Sequence, residues 1–171
     1  MLNTLAVAAG LMMGCGGTPM AQQIPIERNQ RFSQNLDTLG VESSLSAPVA
    51  KVWAALPAVF AELGLEINFR DLSPKRTGAC YQQVHGRLGR DMLSTYVDCG
   101  DSRSVPNADR FEIALTVLTT VVPASDQTTR IYTFVLGAGN DGTSSTGRVW
   151  CYSRGAIEAR IRKLLEEHLA G

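Results

Sequence analysis

The sequence predicts an α+β domain in which an antiparallel sheet of five to six strands carries two helices on one face. Three observations point there. Two stretches, Val49–Leu63 and Ile157–Leu169, place apolar residues at three- and four-residue spacing, so each presents a single apolar stripe. Between them lie several segments that alternate apolar and polar residues and end in turn formers. The 171 residues suit one domain with a segment to spare at an end. The element order reads β-α-β-β-β-β-(β)-α, and two one-striped helices bury themselves most simply on the same face of the sheet.

The first strand comes from Leu39, Val41 and Leu45, which alternate with polar residues after Thr38. Ser46-Ala47-Pro48 has the pattern of a helix start, a hydroxyl cap followed by Pro in the first turn. Val49, Val52, Trp53, Leu56, Val59, Phe60 and Leu63 then form the stripe, with Trp53 and Phe60 expected in the core. Gly64 stands where a C-terminal cap belongs, and Pro57, lacking an N–H, predicts a kink near Trp53.

Glu66–Asp71 reads as a short strand before a Ser73-Pro74-Lys75 turn. Gly78–Arg87 and Met92–Cys99 read as a hairpin about Leu88-Gly89-Arg90-Asp91. Phe111–Val122 and Arg130–Leu136 form a second pair, Arg148–Cys151 a late short strand, and Ser153 the cap of the last helix. In that helix Ile157, Ile161, Leu164, Leu165 and Leu169 face inward and Arg160, Arg162, Lys163, Glu166 and Glu167 outward. No internal repeat and no heptad run is visible.

Composition narrows the function. Sixteen basic residues balance sixteen acidic ones, which removes the electrostatic case for a nucleic-acid partner. Gly137-Ala138-Gly139-Asn140-Asp141-Gly142 spells GxGxxG, but no helix opens at its last glycine, so it reads as a loop and no nucleotide cofactor is expected. Cys80, Cys99 and Cys151 with His85 are scattered singly rather than in the tight pairs of zinc sites, so no metal is expected either. His85, with Asp98 on a supposed neighbouring strand, is the best acid–base candidate, and His168 reads as a rim residue; no serine sits in a G-x-S-x-G elbow. The chain is therefore read as non-enzymatic. Arg87, Arg90, Arg148 and Arg154 form a candidate basic patch that Asp91 and Asp98 would balance.

Met1 to Met13 is uncharged and almost wholly apolar, too short to span a bilayer but of the length of a signal-peptide core. Leu11-Met12-Met13-Gly14-Cys15-Gly16 after it resembles the lipobox of bacterial lipoproteins. That resemblance implies cleavage before Cys15 and lipidation of its thiol. Gly16, where an inner-membrane retention signal would put Asp, implies outer-membrane anchoring. Residues 1–14 are then a signal peptide, 15–36 a flexible tether reaching ~70 Å when extended, and 37–171 the domain. In an exported chain the cysteines point to a disulfide. Cys99 and Cys151 each end a strand beside a loop or helix, so the expected bridge is Cys99–Cys151 with Cys80 a free, buried thiol. Cys80–Cys99, across the supposed hairpin, is the alternative.

The element order resembles the helix-grip folds. With the lipid Cys15, the tether, the helix opening Ala47-Pro48-Val49-Ala50-Lys51-Val52-Trp53 and the Leu63-Gly64-Leu65 exit, the chain is similar to BamC-like outer-membrane lipoproteins. This implies a domain facing the periplasm that contacts an envelope protein during outer-membrane assembly. The same opening is similar to the START-like carriers, which implies a small apolar ligand held between helix and sheet. A carrier needs an apolar cavity of ~300 Å³ or more, whereas an interaction domain is packed shut.

Overall fold

In chain order the elements are β1 (Val41–Leu45), α1 (Val49–Glu62), β2 (Phe69–Leu72), β3 (Lys75–His85), β4 (Arg87–Leu88), β5 (Asp91–Met92), β6 (Val97–Asp98), β7 (Asp101–Ser102), β8 (Val105–Pro106), β9 (Glu112–Ser125), β10 (Thr128–Asn140), β11 (Arg148–Ser153) and α2 (Ala156–Ala170). They come from a computed structural model that describes residues 40–140 and 148–171. The predicted signal peptide, Cys15 and the tether lie outside the described residues.

The architecture is α+β, with one main sheet of seven strands rather than five or six. Its order is β2-β3-β9-β10-β11-β6. β10 pairs with β9 along its whole length, Thr128 to Asn140. On its other edge β1 takes Thr129 to Thr133 and β11 takes Leu136 to Asn140. Alternation along β9 puts Ile113, Leu115, Val117 and Val121 on one face, opposite Gly139, Gly137, Val135 and Ile131 of β10. Both helices press on that face: Val52, Leu56, Val59 and Phe60 from α1 and Ile157, Ile161, Leu164 and Leu165 from α2 join the same buried core. Each such side chain is worth ~1.5–3 kcal/mol of burial.

The helix boundaries have local causes. α1 starts after Pro48 without a side-chain cap, so Ser46 does not serve as one. Instead, Thr129 Oγ1 of β10 donates to the Ala47 carbonyl at 2.6 Å and ties the helix entrance to the sheet. At the exit, Gly64 has a φ of 73°, and the bonds Gly64 N–H to Ala61 O and Leu65 N–H to Phe60 O close the helix. α1 runs through Pro57 as one helix. α2 is capped by Gly155 rather than Ser153, which works two residues before it: its Oγ accepts from Gly155 N–H and donates to Glu158. Trp53 is only half-buried. It packs at the edge of the core with the Arg70 guanidinium 4.8 Å and the Lys75 ammonium 5.6 Å from its ring centroid.

The predicted pairing of Gly78–Arg87 with Met92–Cys99 is not formed. β3 pairs with β9, and the turn at Leu88-Gly89-Arg90-Asp91 joins only the two-residue strands β4 and β5. The reason is a repeated unit that the sequence hides. Gly86 and Gly100 both adopt left-handed φ, 67° and 70°. Each is followed by a two-residue hairpin (β4–β5, then β7–β8) and a three-residue 3₁₀ turn, Leu93–Thr95 and Asn107–Asp109. Leu93 N–H donates to Gly86 O at 2.9 Å, and Asn107 N–H donates to Gly100 O at 2.9 Å. The units are clamped together by Asp109, which accepts from Ser94 N–H at 2.8 Å and Ser94 Oγ at 2.7 Å.

Candidate functional site

Cys99 and Cys151 form a disulfide with a Cα separation of 4.1 Å across 52 residues of chain. Cys99 leaves β6, and Cys151 lies inward on β11, so the bond staples the two hairpin units to the sheet beside the start of α2. Loop closure over that span is worth ~4 kcal/mol. The expectation for Cys80 is corrected: it is buried but disulfide-bonded, not a free thiol. Cys80 sits in a β-bulge of β3, where Asn68 grips its backbone from both sides, accepting from Cys80 N–H at 2.7 Å and donating to Cys80 O at 2.9 Å. Neither Cys99 nor Cys151 retains a thiol with which to bind zinc.

The acid–base candidate does not assemble. His85 ends β3 opposite Glu112 of β9, whereas Asp98 lies on β6, beyond β9, β10 and β11. Asp98 instead receives a hydrogen bond from Arg154 at 3.1 Å. His168 meets Glu62 at 2.6 Å and joins the end of α2 to the end of α1. The four arginines fall into two pairs. Arg87 donates to the Arg90 carbonyl within the first small hairpin, while Arg148 and Arg154 bracket β11. Asp91, expected to balance them, accepts from Tyr96 Oη at 2.7 Å. Burial, helped by that hydrogen bond, pushes the Tyr96 phenol up to about 12.

Gly137 and Gly139 of the GxGxxG stretch belong to β10 and face the helices rather than a loop. A Cβ on Gly137 would lie 2.9 Å from both Cys151 Cβ and Ile113 Cγ2, and one on Gly139 would overlap Ile113 Cδ1. The glycines therefore let the core close against the sheet, where one methyl group more would not fit. Leu88, Leu93, Ala108 and Phe111 of the hairpin segment are buried in the same core.

The opposite face of the sheet carries Leu118, Phe134, Tyr132 and Leu136, and among the described residues both helices lie on the other side. At its β11 margin the outward residues are Arg148, Trp150 and Tyr152, opposite Asn140, Ala138 and Leu136. Tyr152 is 53% exposed. Sequence reasoning took Arg148 and Arg154 only as charges and missed the aromatic pair between them. The signal was there: in Arg148-Val149-Trp150-Cys151-Tyr152-Ser153-Arg154 every second residue is Arg, Trp or Tyr.

Among the described residues no helix is long and apolar enough to cross a membrane. No protein-family model, no curated protein and no solved structure matches the chain.

Proposed function

We propose that the chain is a non-enzymatic interaction module of the bacterial cell envelope, lipid-anchored at Cys15, whose domain contacts another envelope protein at the outer membrane. The observation that carries the choice between module and carrier is the closed interior. Val52, Leu56, Val59, Phe60, Ile157, Ile161 and Leu165 meet Ile113, Leu115 and Val117 with every one fully buried. The positions a ligand would need beside Gly137 and Gly139 are taken by protein atoms. The separation of His85 from Asp98 supports the non-enzymatic reading.

The anchor rests on the apolar run ending at Gly14-Cys15, and the resemblance to BamC-like lipoproteins supplies the outer membrane. Cysteine chemistry makes it testable. The sequence has four cysteines; with Cys99 joined to Cys151 and Cys80 bonded, Cys15 is the one left to Cys80 within the chain, so lipid on Cys15 and that bond exclude each other. Mass spectrometry of the native protein is expected to find acylated Cys15 as the first residue; an unmodified or bridged Cys15 overturns the anchor. Crosslinking and co-purification from membranes is expected to recover a partner protein, with no saturable uptake of an apolar dye. A stoichiometric apolar ligand with no protein partner overturns the module.

A further inference from the structure

We propose that the tip of the β2–β3 hairpin, with Trp53 beside it, rests on an anionic lipid surface, Arg70 and Lys75 meeting the head groups and Leu72 entering the first acyl carbons. This goes beyond the interaction-module reading and holds whether or not Cys15 carries lipid. Three observations carry it. The first is charge. The Arg70 guanidinium and the Lys75 ammonium both stand over the Trp53 ring, 4.8 Å and 5.6 Å from its centroid. Among the described residues neither is paired with a carboxylate. Two cations drawn to one ring repel each other, and an anion beside them relieves that repulsion.

The second observation is where the acid of the hairpin points. Arg70 lies opposite Thr77 and Thr77 opposite Thr119, on the sheet face that carries the helices. Leu72, two residues on, shares that side with its partner Lys75. Asp71 alternates to the other face, opposite Arg76, and its Oδ1 accepts from Ser73 N–H at 3.0 Å. The side toward Trp53 is therefore left basic in a chain whose formal charge is +0.

The third is the apolar surface beside those charges. Leu72 is 67% exposed, the most open large apolar side chain among the described residues, and it stands at the turn into Lys75 rather than in a groove. On α1 the residues one turn either side of Trp53, Ala50 and Pro57, are exposed and uncharged. A head-group layer suits such a tip: its phosphates meet the cations, the indole sits at the boundary and the leucine passes below it. A free phosphate takes the cations but leaves Leu72 in water, so the lipid surface accounts for both features.

The test mixes the full chain with vesicles of phosphatidylcholine alone and with vesicles that also contain phosphatidylglycerol. Met1 to Met13 has no charged side chain, so its apolar contribution is common to both. Two cations at the surface are expected to make binding to the anionic vesicles about thirtyfold tighter. Arg70→Glu with Lys75→Glu is expected to abolish that preference, and Leu72→Asp to weaken anionic binding about tenfold, each with unchanged urea unfolding. In a Trp150→Phe background Trp53 is the one tryptophan left, and its emission is expected to move to the blue on anionic vesicles alone. Equal binding to both vesicles, a preference that survives the double charge reversal, or undiminished binding by Leu72→Asp overturns the proposal. So does soluble glycerol phosphate that displaces the vesicles at equal phosphate concentration, which marks a small-anion site. The mass spectrometry and co-purification that test the module leave this comparison untouched, so either reading falls without the other.

Discussion

The β9–β10 hairpin and the neighbouring segment 86–111 solve the same problem in opposite ways. Along β9 and β10 backbone groups satisfy one another in an almost unbroken ladder, interrupted once between Thr128 and Thr129. In 86–111 no strand exceeds two residues, and the backbone is held by specific side chains and tight turns instead. Ser94 and Asp109 join the two units, Asn107 Nδ2 donates to Cys99 O at 3.0 Å, and Arg110 reaches the Ser102 carbonyl. A ladder tolerates many sequences, since its bonds are backbone bonds. A side-chain-pinned segment depends on a few residues, so single substitutions should hurt it in a way they do not hurt the ladder.

The largest test of that contrast is the disulfide. Replacing both Cys99 and Cys151 by Ser should lower the unfolding free energy by ~4 kcal/mol in urea titrations. Hydrogen exchange should then find the amides of 86–111 opening well before those of β9 and β10. Uniform exchange across both regions would erase the distinction. Next comes the one place where the ladder itself is fragile. Gly78 of β3 lies so close to β9 that a Cβ would overlap the Val117 carbonyl oxygen, a backbone atom that cannot step aside. Gly78→Ala should cost ~3 kcal/mol, the upper end of overpacking, by the same titration.

What could be read from the sequence divides along the same line. The two helices, their inward faces and the β9–β10 pair were legible because burial imprints a period on the residues. Val52, Leu56, Val59 and Phe60 and Ile113, Leu115 and Val117 are all buried as their spacing predicts. Segment 86–111 leaves no such imprint, because its pairs are two residues long and its repeat is one of conformation. Gly86 and Gly100 recur, but Leu93 corresponds to Asn107 and Asp91 to Val105, so no residue pattern repeats with them. The left-handed turn of the second unit is even made by Arg103 and Ser104 (φ 53° and 63°) rather than by glycine. The Cys99–Cys151 bridge is nevertheless legible, since each residue stands at the end of a strand, Cys99 before a loop and Cys151 before the last helix. Cys80 reads as a free thiol from the sequence because Cys15 is assigned to lipid and Cys99 to Cys151, an odd count that the bonded Cys80 contradicts.

A smaller effect probes the clamp between the units. Ser94 Oγ gives Asp109 one of its two short hydrogen bonds, the other coming from Ser94 N–H, which any residue retains. Ser94→Ala should therefore cost ~1.5 kcal/mol, the worth of one hydrogen bond to a charged group, measured by thermal or urea unfolding. A loss as large as that of Gly78→Ala would mean that the two units have no other connection of consequence.

The smallest effect at neutral pH separates the regions most cleanly when pH is the variable. Tyr96 ends the first 3₁₀ turn, is buried, and donates its phenolic hydrogen to Asp91. Its folded pKa is raised to about 12, chiefly by burial, against 10.0 for an ordinary tyrosine. The folded state therefore holds this proton more tightly than the unfolded chain. The associated stability is complete below pH ~10 and drains away as pH rises toward ~12. Phenylalanine cannot ionise and lacks the hydrogen bond. Tyr96→Phe should cost about 1 kcal/mol at neutral pH, the worth of one hydrogen bond. Above pH 10 the wild type should lose stability faster than the variant, and the gap should narrow. Parallel curves from pH 8 to 12 in wild type and variant would show that Tyr96 is not shielded, and that segment 86–111 is looser than its buried residues indicate.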